Sequence, residues 1–197
     1  MTDRTDDDAA LEQFHKSLDD IEEWFQDNDR ADVTKGLLPG ATPEALREAE
    51  IAAQGTFPRA LRALYERHDG QSDRENHPFF GSLVFADLEY AHGLRRGMLF
   101  AYFGVRDGGV IDRSAIFCDP ATPLLESEYD ARWFPFANMG GDFLAVHLGS
   151  GRVFRAVKDL PALRLAAPSL SEFVARFADR LWNEQFKVDA RGWIRVD

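Results

Sequence analysis

Over residues 9–28 apolar side chains return at alternating three- and four-residue steps: Leu11, Phe14, Leu18, Ile21 and Phe25. That period predicts an amphipathic helix. Asp8 is its expected N-cap, and the acidic start suits the helix dipole. The opposite face carries Glu12, Asp19, Glu22 and Glu23, and must look at solvent or at a basic partner. Leu37-Leu38-Pro39-Gly40 then breaks the chain. Thr42 and Pro43 open a second helix that runs to about Gln54 and stops at Gly55. Pro58 opens a third, with Leu61, Leu64 and Tyr65 on one face and Gly70 as its stop. Residues 71–78 are polar and read as a loop.

Beyond residue 80 the pattern changes to short apolar runs. Residues 80–86 read as a strand and 87–97 as a short helix. Residues 98–105 and 110–117 read as two strands joined by a hairpin at Asp107-Gly108-Gly109. Residues 118–132, with their prolines and acids, read as an exposed loop. Residues 133–138, 142–148 and 152–157 are the clearest strands, separated by turns at Gly140-Gly141 and Gly149-Ser150-Gly151. Residues 169–186 read as a helix with Leu170, Phe173, Phe177 and Leu181 on one face. Ser169 and Glu172 form its capping box. Residues 192–196 add an expected edge strand. The order predicts an α+β fold, an antiparallel-rich sheet packed with N-terminal helices and a closing C-terminal helix. No repeat and no linker interrupts it. The expected division is a disordered acidic lead, residues 1–8, and one domain, residues 9–197.

Composition adds two things. Sixteen Phe and four Trp supply enough apolar area for a substantial core. The net charge of -11 is concentrated at one end. Residues 1–30 hold eleven acids and three bases, a net of -8, and the other 167 residues carry only -3. Such a chain repels nucleic acid and anionic membrane and attracts basic partners. The single cysteine, Cys118, excludes an internal disulfide and fits a reducing compartment. The first thirty residues lack an apolar signal core, so the expected location is cytoplasmic. The most apolar run, residues 98–105, is too short to span a bilayer.

Several blocks carry a family pattern. The first holds Leu38-Pro39-Gly40, the helix from Pro43, Phe57-Pro58, Leu61-Arg62-Ala63-Leu64-Tyr65 and His68-Asp69-Gly70-Gln71. The second is Phe80-Gly81 with an apolar strand leading into Leu88-Glu89. The third runs from Trp133 to Leu148, with Trp133, Pro135, Ala137, Gly140-Gly141-Asp142 and an apolar strand. Gly151-Arg152-Val153 and Ser171-Glu172-Phe173 follow in order. Over residues 37–180 the chain resembles the Smi/Knr-type cell-wall-assembly regulators of the SUKH superfamily. It departs from them in a long stretch between Leu94 and Arg132, and in His147, where an acid is expected. The resemblance implies a helix-packed antiparallel sheet. In bacteria it implies an immunity protein that neutralises a cognate toxin, often a nuclease, deaminase or other effector. In fungi it implies a signalling scaffold of cell-wall synthesis. It implies no catalytic residues.

Each candidate site residue has a structural alternative beside it. Gly140-Gly141-Asp142 has the make-up of an anion loop, but turn chemistry favours a hairpin. His68-Asp69 has the make-up of an acid/base pair, but His68 suits a helix C-terminus. Asp142 and His147 stand five apart on a strand and point to opposite faces, against joint ligation of a metal. Cys118 reads as a small apolar group rather than a nucleophile. Trp133 reads as core, while Trp24, Trp182 and Trp193 are the candidate exposed aromatics. The motif residues Pro58, Leu64, Tyr65, Asp69, Gly70, Trp133, Pro135, Gly141 and Asp142 are expected to be structural. The candidate partner-binding residues are Asp19, Glu22, Glu23 and Trp24 of the first helix, and Glu126, Glu128 and Asp130 of the long loop. The expected function is therefore non-enzymatic: binding of a protein, a basic toxin domain, without cofactor, metal, nucleic acid or membrane. A signalling or cell-envelope scaffold is the alternative. A hydrolase using Asp142 or His147 ranks last. The oligomeric state stays open.

Overall fold

The computed structural model describes residues 3–72, 77–105, 111–158, 160–188 and 193–195. Helix α1 spans Asp3–Asp27, so it starts ahead of the expected residue 9. A short α2, Ala31–Lys35, follows. Helix α3, Pro43–Ala53, begins as its sequence dictates: the Thr42 side chain accepts from the Ala45 N–H, with Pro43 in the first turn. Helix α4 is Arg59–Arg67. Strand β1 is only Val84–Phe85. Helix α5, Leu88–Phe103, is capped by the Asp87 side chain and ends at Gly104 with φ 58°.

Strand β2 is Phe117–Cys118, β3 Trp133–Met139, β4 Asp142–His147, β5 Val153–Val157 and β6 Leu160–Ala167. Helix α6, Leu170–Trp182, is capped by Ser169. Strands β7, Lys187–Val188, and β8, Ile194–Arg195, pair with each other rather than with the main sheet. Among the described residues the main sheet has the order β1-β3-β4-β5-β6-β2. Its pairs are antiparallel except β6 with β2, which is parallel. The fold is α+β, as the element order predicts.

Three expectations are corrected. Residues 98–103 are helix, not strand: Met98, Leu99 and Phe103 recur at helical spacing and bury against the sheet. Of the expected strand 110–117, residues 111–117 are described; there Arg113–Ala115 form a 3-10 turn and only Phe117 enters a strand. The expected hairpin at residues 107–109 lies outside the described residues. Residues 118–132 are solvated only in part: Leu124 and Glu128 are buried, while Pro120, Leu125 and Glu126 are exposed. Strand β6 has no counterpart in the sequence expectations.

The sheet is covered on both faces. Phe134, Phe136, Leu144, Val146 and Val153 meet α1, α3, α4 and α6 in an aromatic-rich layer that includes Phe14, Phe25, Tyr65, Phe85 and Phe177. Trp133, Phe143, Ala145, Phe154 and Leu163 face the other way, against Met98, Leu99 and Phe103 of α5. A β-bulge between Pro135 and Ala137 shifts the register of β3 against β4. No helix among the described residues is long and apolar enough to cross a membrane.

Candidate functional site

The motif residues knit elements together. The Tyr65 hydroxyl donates to the Ala86 carbonyl at 2.9 Å, tying α4 to the end of β1. Asp69 accepts from the Leu88 N–H at 2.9 Å and so caps α5 alongside Asp87. Gly70 is required: its φ is 77°, and a Cβ there would stand 2.2 Å from the Asp87 backbone nitrogen. Leu64, Trp133 and Pro135 are buried, and Pro58 immediately precedes α4. Gly141 turns the β3–β4 hairpin at φ 103°. Asp142 accepts from the Lys158 N–H at 2.9 Å.

The acids before β3 differ in exposure. Glu128 is 0% exposed. Its carboxylate accepts from the Ser150 hydroxyl at 2.6 Å, the Leu125 N–H at 2.7 Å and the Arg152 guanidinium at 2.8 Å. A buried carboxylate persists only when paired in this way. Asp130 is held by Arg132 and by His147, which is itself fully buried. Burial pushes the Asp130 carboxyl up, but the Arg132 side chain and N–H, with His147, outweigh it and hold the carboxyl below its ordinary value. Glu126 stays exposed, paired with Arg113.

Asp130, His147 and Ser150 stand in line, 3.1 and 3.2 Å apart, in the order of an acid, a base and a nucleophile. Their hydrogen bonds are directed elsewhere. The Ser150 N–H also donates to His147 Nδ1 at 3.1 Å, which makes that nitrogen the acceptor and puts the ring proton on Nε2, toward Asp130. The Ser150 hydroxyl proton is spent on Glu128. The Nδ1 lone pair is thus engaged by the Ser150 N–H and the hydroxyl proton by Glu128. Asp142, at the hairpin, shares no contact with His147.

Helix α1 separates its acids by position. Glu22 faces inward, where its carboxylate accepts from Arg67 Nε at 2.8 Å and lies 3.2 Å from His68 Nε2. Burial alone would raise the Glu22 carboxyl, but the hydrogen bonds from His68 and Arg67 outweigh it and hold the carboxyl low. Asp19 is also tied to Arg67, at 2.6 Å, yet its side chain stays 63% exposed. Glu12, Lys16, Asp19, Glu23 and Asp27 are all exposed and follow the helical repeat down one side. Glu12, Glu23 and Asp27 make no ion pair among the described residues.

Trp24 leaves the candidate set: it is 4% exposed, packed edge-on against Phe25 and Phe186. Trp193 is buried too. Trp182 is the Trp that meets solvent, at 47%. Its indole N–H donates to the Asp20 carbonyl at 3.0 Å, which fixes the ring beside the acids of α1. Cys118 is half-buried, and burial pushes its thiol up, away from nucleophilic readiness.

Sequence reasoning missed the cations that sort these acids. Arg67 and Arg152 reach Glu22 and Glu128 across 45 and 24 residues, and nothing local marks such pairs. Arg95 was also unmarked: it donates to the carbonyls of Ala52, Ala53, Ala131 and Trp133, locking the C-terminus of α3 to β3. A comparison with curated proteins gives no match. The model of the SMI1 / KNR4 family (SUKH-1) matches residues 40–176, well over half of the sequence, and the chain belongs to that family.

Proposed function

We propose that this chain is an immunity-type protein that binds and neutralises a cognate toxin domain in the bacterial cytoplasm. One observation carries the reading: in a chain of this family, α1 presents an exposed acidic stripe, Glu12, Asp19, Glu23 and Asp27, beside the exposed ring of Trp182. A toxin acting on nucleic acid needs a basic cleft, and carboxylates on a rigid helix occupy such a cleft as phosphate mimics. Complementary charge speeds encounter, and a desolvated Trp slows release. Blocking of this kind requires no catalytic group in the inhibitor.

The test is co-expression with the effector-like product of the adjoining gene. Wild-type protein restores growth and co-purifies with the effector. Growth arrest despite abundant folded protein, with no complex formed, would sink the proposal.

A further inference from the structure

We propose that the groove between β5, β6 and α6 is a binding site for a small phosphate monoester carried on an apolar body. The groove encloses about 490 Å³, within the size of small-molecule sites. Phe80, Leu83, Leu144, Phe173 and Phe177 give it an apolar floor. Arg155, Arg164, Arg176 and Arg180 also line it, and no Asp or Glu does. Four arginines thus line one groove in a chain whose net charge is -11.

Two of those arginines stand in a costly arrangement. Arg155 and Arg164 are direct cross-strand partners of β5 and β6, and like charges directly opposite destabilise a sheet. Arg176 and Arg180 repeat the clash at helical spacing on α6. Glu172 answers Arg176 from outside the groove lining. Arg155 has no such answer among the described residues, where its buried Nε has no hydrogen-bond partner. A buried donor of this kind calls for an acceptor. A phosphate between β5 and β6 would accept from Arg155 Nε and bridge the Arg155/Arg164 pair. The apolar body would lie over Phe173 and Phe177. This site does not depend on the toxin-binding reading.

The experiment is calorimetric titration of the full chain with hexyl phosphate, with inorganic phosphate and hexanol as separate controls. The wild-type protein binds hexyl phosphate at one saturable site, at least tenfold more tightly than either control. Arg164→Glu alters an exposed side chain, so the fold stays intact, and it weakens hexyl phosphate at least tenfold. Arg155→Met does the same where its thermal melt matches wild type. Absence of saturable binding to the folded wild-type chain, or affinity unchanged by Arg164→Glu, overturns the proposal.

Discussion

Two acid-bearing regions read alike in sequence and behave in opposite ways. Across residues 126–130 the central acid turns inward: Glu128 is sealed beneath the Arg152 guanidinium, the Ser150 hydroxyl and the Leu125 N–H, while Glu126 stays exposed. On α1 the acids mostly turn outward, and Glu12, Glu23 and Asp27 are exposed and make no ion pair among the described residues. The buried carboxylate sits in a 3-10 turn and the exposed ones on a regular helix, the reverse of the usual association of loops with exposure. What separates them is the set of donors built underneath. A carboxylate with a buried cation and two further donors is part of the fold; one with none is available to a partner.

The sharpest way to break that contrast is Glu128→Ala. It leaves Arg152 largely buried without its carboxylate, along with the unmet Leu125 N–H, and should cost about 3–5 kcal/mol in urea denaturation. A loss below about 1 kcal/mol would place Glu128 with the surface acids instead.

Arg67→Met sits between the two classes, because it frees the inward Glu22 and the outward Asp19 together. The expected cost is about 1 kcal/mol in the same assay, since the cluster is partly solvated. The pH profile separates the two acids further. The Glu22 carboxyl is held below its ordinary value in the folded chain, so its contribution is complete above the unfolded value of 4.5 and is lost as pH falls through the folded one. In wild type, stability therefore declines on acidification below about pH 4.5. With Arg67 gone that decline should be shallower, and an identical acid limb in both proteins would show that Glu22 is not held by Arg67.

How far the sequence announced all this depended on whether the determining contact was local. Helices α1, α3 and α6 follow from their apolar periods and caps, because Thr42 and Ser169 act on backbone three residues away. The β3–β4 hairpin follows from Gly140 and Gly141, both at positive φ. Residues 98–103 misled because a short apolar run suits a strand and a buried helix equally; packing under Trp133 and Phe154 decides for helix. Strand β6 went unseen because its Pro161 and its alanines lack strand preference, and pairing with β5 and β2 on either side makes it. The outward stripe of α1 was legible from its period. The inward fates of Glu22, Trp24 and Glu128 were not, because each depends on a distant partner: Arg67, Phe186 and Arg152.

The smallest expected effect on stability is that of Glu12→Lys/Glu23→Lys/Asp27→Lys. All three side chains are exposed and without ion pairs among the described residues, so each change should stay within about 0.5 kcal/mol by thermal melting. A large loss of stability would mean that the stripe is structural after all.

That same triple variant gives the most direct test of the central claim, that the outward acids of α1 carry the interaction. The measurement is the association rate with the purified cognate effector as a function of salt. Wild type should associate fast at low salt and slow steeply as salt rises, while the variant should associate at least tenfold more slowly at low salt and respond weakly to salt. Equal rates and equal salt slopes for the two proteins would contradict the account.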